Sequence, residues 1–68
     1  MRVLVNGTPH ELGASATILD AAACVGVRQG DRGVAAALDG EVVPGKSWHT
    51  TPIYEGARIE VVRAAAGG

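Results

Sequence analysis

Apolar residues fall along this chain in short bursts, most of them closed by a turn-forming pair. Val3-Leu4-Val5 runs into Asn6-Gly7. Asn-Gly is the strongest two-residue hairpin signal, because both central positions of a type I′ turn need a positive φ. A return strand is expected from Thr8 to Leu12, and Pro9, which has no N–H to donate, places it at a sheet edge. Val34 to Leu38 is an unbroken run of small apolar residues and reads as a strand buried on at least part of both faces. Asp39-Gly40 repeats the turn signal, Glu41-Val42-Val43 is a short return strand, and Pro44-Gly45 stops it. Arg58-Ile59-Glu60-Val61-Val62-Arg63 nearly alternates polar with apolar and predicts a closing strand.

Between the two hairpins the period changes. Ile18, Leu19, Ala22 and Val25 follow helical spacing, Thr17 with Asp20 forms a capping-box pattern, and Gly26 is placed to be the left-handed residue that ends the helix. A helix of about nine residues is marginal alone, so its Ile18/Ala22/Val25 stripe must pack on a sheet. Arg28 to Gly33 reads as a polar loop and Lys46 to Tyr54 as irregular chain, with Thr51-Pro52 extended and Glu55-Gly56 a turn. Hairpin, helix and later strands together predict an α+β fold, a mixed sheet of four to five strands with one main helix packed on one face. That order is the β-grasp arrangement of ubiquitin-like proteins, in which the last strand lies centrally beside the first. The domain is then residues 1–63, and residues 64–68 form a flexible C-terminal tail ending Gly67-Gly68.

Composition narrows the function classes. The 68 residues make one small domain, which buries only roughly 60% of the surface its unfolded chain exposes. No room remains for a cleft with supporting layers, so no catalytic residue is assigned and a binding module or carrier is favoured over an enzyme. Phe is absent and Ala and Val dominate, so the core is thin. The formal net charge is −1 with acids and bases interspersed, which gives no basic surface for nucleic acid. No apolar stretch approaches the roughly 20 residues that span a bilayer, so no membrane is expected. The N-terminal apolar run meets Asn6-Gly7 too early for a signal peptide, and the single Cys24 has no disulfide partner. Both point to a cytoplasmic protein.

Individual side chains read plainly. Cys24 lies in the helix and reads as a small core residue. His10 and His49 lack companions at ligand spacing, so no metal site is assigned. Trp48 reads as a cap on the core, with a partner-facing anchor as the other reading. Arg28, Asp31 and Arg32 read as a solvated loop, and Arg63 as either a solvated strand end or a contact for an acidic partner.

Taken in order, the pieces resemble the ThiS family of thiamine-biosynthesis sulfur carriers. The resemblance rests on Val3-Leu4-Val5-Asn6-Gly7, on Val34 to Leu38 leading into Asp39-Gly40-Glu41-Val42-Val43-Pro44, and on Trp48, Thr51-Pro52 and Glu55-Gly56. It ends with Arg58 to Val62 and Gly67-Gly68. Two positions depart from the family pattern: Asp39 stands where Asn is usual, and Ala57 where Asp often follows the Gly. The resemblance implies that an E1-like adenylyltransferase consumes ATP to adenylate the Gly68 carboxylate. A sulfur donor system fed by a cysteine desulfurase then converts it to a thiocarboxylate, and thiazole synthase takes the sulfur. No cofactor is bound by the carrier itself.

The tail suits this chemistry. An α-carboxyl group has a pKa of about 3.5 and is an anion at pH 7, hence a poor electrophile until adenylation supplies a leaving group. Gly67 and Gly68 carry no Cβ to crowd a narrow channel, and Ala65 and Ala66 extend the reach by roughly 3.3 Å per residue. A Gly-Gly ending arises by chance in roughly 2% of chains this rich in Gly, so its weight comes from the strand ahead of it. The same terminus suits a carrier for molybdopterin, cysteine or tRNA thiolation, or a ubiquitin-like protein modifier. A non-covalent β-grasp binding module is the alternative from a different class.

Overall fold

The computed structural model describes residues 1–64. Strand β1 (Arg2–Val5) and strand β2 (Thr8–Glu11) form an antiparallel hairpin. Strand β3 (Val34–Leu38) and strand β4 (Glu41–Val43) form a second. Each turn is written in its two central residues. Asn6 and Gly7 have φ of 51° and 82°, and Asp39 and Gly40 have φ of 48° and 89°. Both central residues lie in the left-handed region that a type I′ turn requires.

The closing strand β5 (Arg58–Arg63) sits between the hairpins, and the sheet order is β2-β1-β5-β3-β4. β5 runs parallel to β1 and antiparallel to β3. The expectations that the last strand lies centrally beside the first, and that the Pro9 strand takes an edge, are met. The architecture is the β-grasp fold.

Helix α1 (Ile18–Ala23) covers one face of the sheet. Its start is held by the Asp20 carboxylate, which accepts from the Thr17 N–H at 2.8 Å. Its end is closed by paired bonds from the Gly26 N–H to the Ala23 C=O (3.0 Å) and from the Val27 N–H to the Ala22 C=O (3.1 Å). This is the Schellman closure, with Gly26 at φ 78° as its left-handed residue. The regular helix is therefore shorter than the spacing predicts. Val25 is 39% exposed, and Val27, beyond the reversal, enters the core in its place. Cys24 is likewise only half-buried, not a core residue, and its thiol points back to the Asp20 C=O at 3.6 Å.

The core consists of Val3, Val5, Ile59, Val61 and Ala36 from the sheet, Ile18, Ala21 and Ala22 from the helix, and Val27, Trp48, Ile53 and Ala57 from the connections, with Ala16 ahead of the helix. The segment expected to be irregular contains a 3₁₀ helix, Gly45–Thr50. Trp48 anchors it: its ring is 2% exposed and its indole N–H donates to the Val43 C=O at 2.8 Å. β3 is buried on one face only. Ala36 faces the core, while Ala35 on the opposite face is exposed.

Candidate functional site

The chemistry expected from the sequence belongs to the end of the chain. Ala65, Ala66, Gly67 and Gly68 lie outside the described residues. What is described is the strand that delivers the chain to them.

β5 is built to hold. Ile59 and Val61 point into the core at 1% and 6% exposure, while Arg58, Glu60 and Val62 point outward. Its backbone is engaged on both sides. Toward β1, the Leu4 N–H donates to the Ala57 C=O and the Asn6 N–H to the Ile59 C=O, both at 2.9 Å. Toward β3, the pairing runs from Leu38 opposite Ile59 to Val34 opposite Arg63. In the turn of the second hairpin, Asp39 acts twice: its N–H donates to the Arg58 C=O at 2.8 Å, and its carboxylate accepts from the Arg58 N–H at 2.9 Å. Asp39, one of the two departures noted in the sequence, thus ties the start of β5 to the turn. Ala57, the other departure, is fully buried, so its small side chain belongs to the core.

The described chain ends beside the loop before β3. The Ala64 N–H donates to the Gly33 C=O at 2.6 Å, and the space above the Gly33 Cα is met by the Ala64 Cβ at 3.6 Å. From the sequence, Gly33 read only as punctuation in a polar loop. Among the described residues its carbonyl is the last backbone acceptor on the β3 side of β5, a role visible only from the strand pairing.

The sheet face opposite α1 carries Ala35, Ala37, Val42, Glu60 and Val62 close together. Val42 is 74% and Val62 60% exposed, and no described element covers them. This apolar surface reaches to within one residue of Arg63, itself exposed at the strand end.

The remaining candidates do not gather. The Arg28 N–H donates to the Asp31 carboxylate at 2.9 Å, which folds that loop on itself. Among the described residues, no polar or charged side chain is buried, and no three His, Cys, Asp or Glu groups are placed to hold a metal ion. No helix among the described residues is long and apolar enough to cross a membrane.

Known proteins give the same picture. A crystal structure of a thiamine biosynthesis protein (ThiS) from Geobacter metallireducens superposes with a TM-score of 0.75 at 26% identity, covering 100% of both chains. A solution structure of a thiamine biosynthesis protein from the same organism gives 0.75 and 26%, over 100% of this chain and 88% of that one. No curated protein sequence matches at a significant level. The family model described as ThiS matches residues 3–68, so the chain belongs to the ThiS family.

Proposed function

We propose that this protein is a sulfur carrier of thiamine biosynthesis whose working group is the α-carboxylate of Gly68. The observation that carries the reading is the placement of β5. A central strand, bonded on both sides, ends five residues before Gly68, and the family match extends through residue 68. The domain acts as a handle and the terminus as the reagent, so the protein is a co-substrate of its partner enzymes.

The reaction follows from the carboxylate. An E1-like adenylyltransferase joins the Gly68 carboxylate oxygen to the α-phosphorus of ATP, and pyrophosphate leaves. Sulfur from a cysteine desulfurase, released from its persulfide as sulfide by a thiol reductant that becomes a disulfide, attacks the acyl carbon. The carbon–oxygen bond to AMP breaks, and the product is a thiocarboxylate with a proton released. Thiazole synthase is the acceptor. Four residues follow Ala64 and span at most about 14 Å, so an enzyme that seats the terminus lies against the rim around Ala64.

Intact mass after incubation with the activating enzyme, ATP and sulfide tests this reading. One oxygen exchanged for sulfur adds about 16 Da, and deleting Gly68 abolishes the gain without unfolding the domain. Absence of the gain with a partner shown to be active on another carrier refutes it. Conjugates to other proteins that survive reductant would point instead to a protein modifier.

A further inference from the structure

Asn6 was legible in the sequence as a turn residue, and its φ of 51° fits that role. Its side chain does something the turn does not need. The Oδ1 atom accepts from the Val61 N–H at 2.8 Å, and the Nδ2 atom donates to the Val61 C=O at 3.0 Å. One carboxamide thereby satisfies both backbone groups of one residue, as a peptide group of a neighbouring strand would. Residues 6 and 61 are 55 apart in sequence, and both bonds are partly buried.

The location gives this pair its meaning. β1 pairs with β5 only through Leu4 opposite Arg58 and Val5 opposite Ile59, and then turns away into its hairpin. β5 continues to Arg63. Peptide groups in a strand alternate sides, so Ala57, Ile59 and Val61 face β1. Without the Asn6 side chain the grip from that side ends at Ile59. With it, the grip reaches Val61, three residues before the Ala64 bond to Gly33 on the other side.

We propose that Asn6 is a positioning residue for the chemistry at Gly68, holding β5 in the sheet up to its end and so setting the length of chain that can leave the domain. The proposal rests on the sulfur-carrier reading above. With the clamp closed, the last described backbone bond is at Ala64, four residues from the terminus. If the stretch from Val61 opens, the last held residue is Glu60, eight residues from the terminus, a reach of at most about 29 Å in place of about 14 Å. The local concentration of a tethered end falls as about the −3/2 power of tether length, so doubling the tether lowers it about threefold. An enzyme that grips the domain and seats the terminus would lose that factor in productive engagement. The chemistry after seating is the same.

Asn6→Gly separates the two roles, because glycine adopts the turn conformation freely while the carboxamide is lost with the side chain. Two measurements apply to the full chain, at a temperature where melting curves show both proteins folded. In amide hydrogen exchange followed by NMR, the Val61 and Ala64 amides are expected to exchange about tenfold faster or more, with the Val3 and Val5 amides unchanged. In carrier-dependent ATP–pyrophosphate exchange with the E1-like enzyme, KM for the carrier is expected to rise, by up to about threefold where the open stretch dominates, with kcat retained. Unchanged exchange at Val61 overturns the clamp. Faster exchange with unchanged KM overturns its positioning role while leaving the carrier reading intact. A wild-type chain that the enzyme does not adenylate overturns the carrier reading and this proposal together.

Discussion

Replacing Trp48 by alanine removes the largest buried side chain of a core that has no Phe. The ring is 2% exposed, and its N–H holds the Val43 C=O at the end of β4. A buried Trp→Ala change costs about 3–5 kcal/mol in transfer and cavity terms. The lost hydrogen bond adds about 1 kcal/mol. At about 0.1 kcal/mol per residue, a domain of this length has a total stability of about 7 kcal/mol, so Trp48→Ala leaves about 1–3 kcal/mol. Trp48→Phe keeps most of the apolar contact and loses the N–H and part of the ring, at about 2 kcal/mol. With a urea m-value of about 1 kcal/mol/M for so small a chain, the Phe variant should unfold about 2 M earlier. Far-UV circular dichroism is the assay, because Trp48 is the only Trp and fluorescence loses its reporter with the substitution. Midpoints within about 0.5 M of the wild type for both variants would refute the anchoring role. Equal losses for Phe and Ala would refute the division between ring packing and hydrogen bond.

Three further substitutions probe separate parts of the fold. Asp20→Ala removes the carboxylate that accepts from the Thr17 N–H and should cost about 1 kcal/mol in urea unfolding; no change would mean that water caps the helix equally well. Ala57→Leu forces three extra carbons into a fully buried position and should cost about 1–3 kcal/mol, seen as a lowered melting temperature; a raised one would reveal a void beside Ala57. Val62→Thr, a change of similar shape at a 60% exposed position, should alter folding stability by less than about 0.5 kcal/mol. A loss above about 1.5 kcal/mol would show that this sheet face is covered in the folded protein.

What the sequence disclosed and what it hid divide along a physical line. The hairpins were legible because a demand for positive φ is local, and Asn6-Gly7 and Asp39-Gly40 state it in two letters. The edge position of β2 was legible because Pro9 lacks a donor. The 3₁₀ helix was not, because a Trp48 bond to Val43 and a Thr51 hydroxyl bond to the Ser47 C=O (2.6 Å) hold it, and these are tertiary and capping contacts without a periodic signature. Helical spacing extended to Val25, but the Schellman closure at Gly26 turned the chain and gave the buried place to Val27. Apolar letters at Ala35 and Ala37 cannot say whether anything lies over them, so the open face of β3 was read as partly covered. The candidate site shows the same division: the chemistry proposed for Gly68 draws on its residue type and position, whereas Asn6 and Gly33 act through partners 55 and 31 positions away.

Those long separations explain why the last strand is central. A terminal strand at an edge would be held on one side, and a partner drawing on the chain end would peel it one bond at a time. β5 is held by β1 and β3 at once, and by the Asn6 carboxamide where β1 has already left. Opening it requires breaking both ladders and withdrawing Ile59 and Val61 from the core, so the cost is shared across the domain. The arrangement also ties the ends of the chain together. The N-terminal strand and its turn set the grip on the strand that precedes the C-terminus, so a substitution at Asn6 is expected to loosen the end of β5 while the rest of the sheet holds.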